Sequence, residues 1–207
     1  MLSSFLKVLR NRRSVREYLP KDVSYNIILK VLEASIWAPS AHNAQPWRFI
    51  VISDSKIKQR LAEAMAREWD KDLRESGFSA EDRERLTKTS IKKFTQPPII
   101  LLACLTMKDL DIYPDERRCK AEYLMAVHSV AASIQNILLA AHFEGLGTCW
   151  YCAPLFCQAK VREILGIPDG IEPQALVTMG YSNEKPKAPP RKPLKTIVYQ
   201  NHWGCSG

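Results

Sequence analysis

Residues 97–106, PPIILLACLT, place apolar side chains at every position from Ile99 to Leu105. Successive side chains of a strand point to opposite faces, so a strand built from this segment is apolar above and below. It can face water on neither side, and therefore belongs in the middle of a sheet with a covering layer on each face. The rest of the chain has to supply those two layers.

Three other segments read as strands from their β-branched and aromatic content: 47–53 (WRFIVIS), 148–153 (TCWYCA) and 173–181 (PQALVTMGY). Between them lie helices. Ile27, Ile28, Val31, Leu32 and Ile36 recur at helical spacing, with Ser24 as N-cap and Pro39 just past the end. Residues 55–95 are charge-rich and helix-forming, and Gly77 divides them into two helices, expected as a solvated excursion from the body. From Ala121 to Glu144, residues Leu124, Val127, Ala131, Ile134, Ile137, Leu138 and Ala141 recur every three or four positions; so apolar a helix belongs in a core or at a subunit interface. A short helix over 157–167 and an extended, proline-rich arm over 183–207 complete the chain. Without a regular βαβ alternation, this order predicts an α+β sandwich: a central mixed, mainly antiparallel sheet flanked by helices, in one domain over residues 1–207.

Charge narrows the partners. Thirty Lys and Arg against twenty-two Asp and Glu give a net charge of +8, which favours anions. No block of basic residues, zinc-finger spacing or basic zipper is present, so a phosphorylated small molecule is expected rather than a nucleic acid. No uninterrupted apolar run approaches the roughly 20 residues that span a bilayer, and the first residues lack the basic-then-apolar order of a signal peptide. The expected location is cytoplasmic, with no membrane partner.

Six cysteines in such a chain are expected as free thiols. Cys149 and Cys152, three apart on a strand, point to opposite faces; with Cys157 and Cys205 they form no second CxxC or His pair that would complete a metal site. His128 and His142, on or near the long apolar helix, read as hydrogen-bonded structural residues. No Walker A or GxGxxG motif occurs, and GLGT after the long helix precedes a strand, the wrong order for a dinucleotide fingerprint.

Two stretches remain that the core does not explain, although a basic patch such as the first is, on its own, also what a solvated surface would carry. RNRRSVREY gathers Arg12, Arg13, Ser14 and Arg16, whose guanidinium forks suit a phosphate or a delocalised anion. A second basic piece, Arg191 and Lys192, sits on the stiff C-terminal arm. APSAHNAQPWRF, residues 38–49, is a helix-to-strand loop whose polar residues are arranged to touch something.

RRSVREY, APSAHNAQPWRF, AAHFEGLGTCW and PPRKPL, in that order along nearly the whole chain, resemble the successive motifs of the nitroreductase family of flavin-dependent oxidoreductases. GLGTCW and the C-terminal tail are most similar to the nitroreductase-like domains found with deazaflavin-cofactor biosynthesis enzymes. The resemblance implies a homodimer with FMN at the interface, NADH or NADPH as electron donor, and an electron-poor acceptor such as a quinone or nitroaromatic compound, reduced by ping-pong hydride transfer. Arg12, Ser14 and Arg191 would hold the phosphate, with Arg13 also among the cofactor-binding residues. Arg16 would sit at the pyrimidine edge, and Leu146, Gly147 and Thr148 would face the ring through their backbone. Pro39, Ser40, Ala41, Asn43 and Gln45 would reach the FMN bound mainly by the other subunit. No protein residue is required as a catalyst, because the flavin carries the redox chemistry. Relatives often carry a Lys before the second strand; Lys93 is the candidate here, while His42 would face substrate or solvent. The same resemblance admits a dedicated reductase of one biosynthetic intermediate, such as a deazaflavin precursor, or a flavin-binding protein that does no catalysis.

Overall fold

A computed structural model describes residues 4–204 of the chain; Cys205 lies outside them. The elements in order are helix α1 (Ser4–Asn11), α2 (Tyr25–Ile36), strand β1 (Trp47–Ile52), α3 (Ser55–Glu75), α4 (Ala80–Thr95), β2 (Ile99–Thr106), α5 (Glu116–Phe143), β3 (Gly147–Tyr151), α6 (Gln158–Leu165) and β4 (Ile171–Gly180). The strands form one sheet in the order β1-β2-β4-β3. Every ladder is antiparallel; the only parallel pairing among the described residues is an isolated bridge between Ser14 and Thr148.

All of β2 is buried, as its sequence requires. Ile99, Leu101, Ala103 and Leu105 pack with α2 and α5, through Ile28, Val31, Ala126, Val130, Ile134 and Ile137. Ile100, Leu102 and Cys104 face the opposite layer, where Leu61, Ala62, Met65, Phe94 and Val161 of α3, α4 and α6 cover them. The segment expected as a solvated excursion is therefore one of the two covering layers. Its charges misled because most of them lie on its outer face, while Leu61, Ala62, Met65 and Leu73 follow the helical period on the inner one; Lys58 is buried and donates to Pro97 O.

Helix boundaries follow their caps. Ser24 Oγ accepts from Ile27 N, and the Asp54 and Ser79 side chains cap α3 and α4 in the same way. Asp115 caps α5 through Arg118 N, so that helix begins five residues before the apolar repeat at Ala121. Gly145, at φ +80°, ends it, and Leu146 N returns to Ala141 O at 2.8 Å. A window of α5 is long and apolar enough to cross a membrane by composition, although its apolar residues are interrupted by polar ones. Here Ala126, Val130, Ile134, Ile137 and Ala141 bury it against the sheet as a core helix. Strand β4 starts two residues earlier than its sequence suggests. Its register against β2 shifts between Ala103 and Cys104, which accommodates Pro173 inside the strand.

Helix α1 was not anticipated, although Phe5, Leu6, Val8 and Leu9 recur at helical spacing; it buries none of its residues within its own chain. Beyond Glu184 the C-terminal arm is almost wholly exposed, broken by one short helical turn at Leu194–Thr196.

Candidate functional site

The arginine segment is pinned to the sheet edge. Val15 N donates to Thr148 O at 2.9 Å, Leu19 N to Tyr181 O at 2.8 Å, and Asn183 N to Glu17 O at 2.9 Å. The Glu184 carboxylate accepts from both Arg16 N and Glu17 N. These contacts leave the arginine side chains free to gather. Burial, then the charges of Arg13 and Arg191, lower the pKa of Arg12 from its ordinary value. Two guanidiniums crowding a third create a repulsion that an anion between them relieves. Arg13 is partly spent on structure, since its Nη1 donates to Arg10 O at 2.6 Å and Arg12 O at 2.7 Å, closing the end of α1. Arg191 is exposed, with only 3.4 Å contacts to Pro189 O and Pro190 O.

A cavity of about 360 Å³ adjoins this cluster, lined by Arg13, His142, Leu146, Gly147, Thr148 and Lys185 among others. Leu146 and Thr148 are nearly inaccessible. Gly147 is required by its neighbour: a Cβ there would lie 2.7 Å from the Val15 Cβ. Thr148 Oγ1 is buried without a hydrogen-bond partner among the described residues. Ser14 reaches the group through its bridge to Thr148.

A second cavity, about 390 Å³, lies between α3, α4 and the end of β3, with walls that include Trp69, Phe94, Tyr151 and Phe156. Lys93, in the last turn of α4, also lines it. Phe94 and Tyr151 meet edge to face with centroids 5.2 Å apart. Burial, then Cys149, push the Tyr151 phenol up, while Arg16 pulls the other way, which places the Arg16 charge near that phenol. Tyr151 was not anticipated as a site residue. The signal was there: it lies two residues beyond Cys149 on the same strand, so on the same face.

The 38–49 loop occupies a different place. Ser133 Oγ of α5 donates to Ser35 O at 3.0 Å and Asn136 Nδ2 to Ala34 O at 3.2 Å, which satisfies carbonyls at the end of α2 and fixes where the loop starts. Ala41 N donates to Ser129 Oγ at 3.2 Å and Gln45 N to Ser40 Oγ at 3.1 Å. His42, Asn43 and Gln45 all have positive φ, between 46° and 53°, a conformation that non-glycine residues adopt only under such constraint. Pro39, Ser40 and Ala41 line a shallow concavity of about 280 Å³ with His128 and Ser129 of α5. It shares no residue with either of the other cavities. Within one chain, then, Arg12, Arg13, Ser14, Leu146, Gly147, Thr148 and Arg191 come together, while Pro39, Ser40, Ala41, Asn43 and Gln45 form a separate group.

His42 does not stand free. Its Nε2 is 3.2 Å from Glu122 Oε1 and 4.0 Å from Asp111 Oδ2. No spacing motif joins positions 42, 111 and 122, so only the fold reveals this cluster. The five described cysteines are all free thiols, with Cys149 buried and Cys152 exposed beyond the end of β3.

Residues 9–181 match the nitroreductase family. The chain belongs to that family. A relative in Archaeoglobus fulgidus, which carries the provisional name NADH dehydrogenase/NAD(P)H nitroreductase, is 31% identical over 87% of this chain and 86% of its own length. Among solved structures, a BluB-like flavoprotein from Clostridium difficile superposes with a TM-score of 0.80 at 23% identity, covering 97% of this chain and 100% of that one. The Vibrio harveyi NADPH:FMN oxidoreductase complexed with NAD+ superposes at 0.73 with 18% identity, over 96% of this chain and 77% of its own. At those identities the two structures speak for the shared fold. Family membership makes this nitroreductase-family chain an oxidoreductase.

Proposed function

We propose that this member of the nitroreductase family is a single-domain FMN enzyme that takes hydride from NADH or NADPH and delivers it to an electron-poor acceptor, a quinone or nitroaromatic compound among test substrates. The two half-reactions alternate at one site. The observation that carries the reading is the crowding of Arg12, Arg13 and Arg191 beside the cavity lined by Leu146, Gly147 and Thr148: charges that repel unless an anion joins them, next to a backbone that a planar ring can approach. FMN, when bound, supplies the hydride-accepting atom. Arg12, Ser14 and Arg191 would hold its phosphate. Arg16 would offer a fixed positive charge to the pyrimidine edge, which stabilises negative charge gathered there. Trp69, Phe94, Tyr151 and Phe156 would exclude water from the reacting face.

The protein works, in this reading, as a homodimer. Trp37 is 80% exposed and Phe143 is 76% exposed, large apolar surfaces with no cover in their own chain. The separation of the Pro39–Ala41 concavity from the arginine cluster fits a loop that serves the partner's cofactor. A second reading, a dedicated reductase of one intermediate, draws on the aromatic cavity itself, since residues of α3 and α4 wall it and would restrict what enters.

The test is an absorption spectrum of the purified protein followed by anaerobic addition of NADH and NADPH separately. A flavin spectrum that bleaches with one or both supports the proposal and identifies the donor. Bound flavin that neither donor bleaches points to a carrier or sensor, and protein that acquires no flavin spectrum from added FMN overturns the reading.

A further inference from the structure

The cluster at His42, Asp111 and Glu122 joins three segments: the loop after α2, the loop before α5, and α5 itself. Their ligand atoms all lie within 4.8 Å of one another. Two carboxylates face one imidazole, so even a protonated His42 leaves one negative charge over. Glu122 is only 2% exposed, and its Oε2 is buried with no hydrogen-bond partner among the described residues. A buried carboxylate oxygen left without a donor is costly, and here it belongs to the group that faces the cluster. The nearest further groups do not satisfy it. Tyr113 donates to Asp111 at 3.4 Å, and Arg118 is committed to Asp115 and stacked on the Tyr113 ring.

We propose that His42, Asp111 and Glu122 bind one divalent transition-metal ion, with zinc as the test case. A dication balances both carboxylates with the imidazole neutral, and one imidazole nitrogen with two carboxylate oxygens is a donor set that zinc accepts. Arms of about 2.0–2.1 Å at the tetrahedral angle put ligand atoms about 3.4 Å apart. The 3.2 Å and 4.0 Å separations from His42 bracket that value, and Asp111 and Glu122 lie within 4.8 Å of one another, so side-chain movements that draw the two carboxylates together complete the site. Water would take the fourth position. The ion's work is structural: it clamps the left-handed turn at His42 and Asn43 to α5, and with it the Pro39–Ala41 segment that starts the same loop. No motif marks the site because its ligands come from three distant parts of the chain.

The experiment uses the tag-free full chain, stripped with a chelator and then given Zn2+ or Co2+ alone, whatever its flavin content. Expected are one zinc per chain retained through gel filtration, a rise in Tm on adding zinc, and a Co2+ spectrum without a sulfur charge-transfer band. His42→Asn keeps a residue that tolerates positive φ, and Glu122→Gln keeps the shape of the buried side chain; each is expected to lower zinc affinity at least tenfold with unchanged far-UV circular dichroism. Should either fail to fold, Asp111→Asn, at an exposed position, must show the same loss. Absence of stoichiometric binding by the wild-type chain, a thiolate signature in the cobalt spectrum, or undiminished binding by the folded variants would overturn the proposal.

Discussion

The Tyr18 hydroxyl donates to Val15 O at 2.6 Å and lies 2.7 Å from Thr178 Oγ1, near the C-terminal end of β4. With its own proton committed, Tyr18 accepts from Thr178. One phenol thereby ties the arginine segment to the sheet, and burial pushes that phenol up so that it stays protonated as a donor. Tyr18→Phe leaves the buried Thr178 hydroxyl only its 3.4 Å bond to Cys149 O and frees Val15 O, at a cost of about 1–3 kcal/mol. Chemical denaturation is expected to show that loss together with weaker FMN binding, because Arg12 to Arg16 lose their fixed placement. An unchanged midpoint would show the tie to be dispensable.

Arg191 and Arg12 repel one another before an anion arrives. Arg191→Ala is therefore expected to leave the flavin-free protein as stable as before, or slightly more so, while weakening FMN binding about tenfold, roughly 1.4 kcal/mol. Arg16→Ala is expected to lower the flavin reduction potential more than it weakens binding. Calorimetric titration and spectroelectrochemistry separate the two; equal effects of both substitutions on both properties would defeat the assignment of roles.

Much of this arrangement was legible beforehand, and the gaps have physical causes. The doubly apolar β2, the Ser24 cap and the Gly77 break are local signals, each fixed by residues within one turn or one strand. That the basic pieces at Arg12 and Arg191 could close on one phosphate was an expectation from their charge, and the resemblance gave them that role. Their electrostatic contact is a property of the fold. Tyr151 escaped notice because strand alternation was applied only to Cys149 and Cys152 and not to the tyrosine between them. The covering role of α3 was masked because its lysines and arginines dominate the composition while the buried stripe that matters is only one face wide. His42, Asp111 and Glu122 left no sequence trace at all.

His142 lines the basic cavity, and burial, then Arg12 and Arg13, lower its pKa. The folded form thus keeps the imidazole neutral at pH values where the unfolded chain, near pH 6.5, already binds a proton. Stability from this group is complete above that value and falls as the pH drops below about 6.5, since the unfolded state takes up more protons there. Partial exposure limits the loss to less than about 1 kcal/mol. His142→Gln is expected to flatten this part of the stability profile, and an FMN phosphate beside Arg12 and Arg13 to raise the His142 pKa in an NMR titration. An unaltered titration upon FMN binding would place the phosphate elsewhere.

Cys157 lines the aromatic cavity, and burial, then the charges of Glu68 and Asp72, push its thiol up to about 11. At pH 8 only about one thiol in a thousand is then ionised, and the thiolate is the form that reacts. Iodoacetamide with peptide mapping is expected to modify the exposed Cys119 and Cys152 first. Cys157 should follow with a rate that climbs about tenfold per pH unit between 7 and 10. A rate for Cys157 that is flat over that range would contradict the environment described for it.

Gly147 opens β3 directly against Val15, and the space between them has no room for a side chain. A Cβ at 147 would meet Val15 Cβ and Cγ1 at 2.7 Å and Cγ2 at 2.8 Å, closer than packed carbons approach. Gly147→Ala is therefore expected to destabilise by about 1–3 kcal/mol, and to disturb the Val15 N to Thr148 O bond that holds the arginine segment in place. The double variant sharpens the test. Val15→Ala removes both Cγ atoms but leaves the Cβ at 2.7 Å, so it should relieve only part of the Gly147→Ala penalty, whereas Val15→Gly should relieve most of it. Full rescue by Val15→Ala would mean that the strand shifts to accommodate the methyl group and that the close approach of these two segments is not what fixes the arginine cluster.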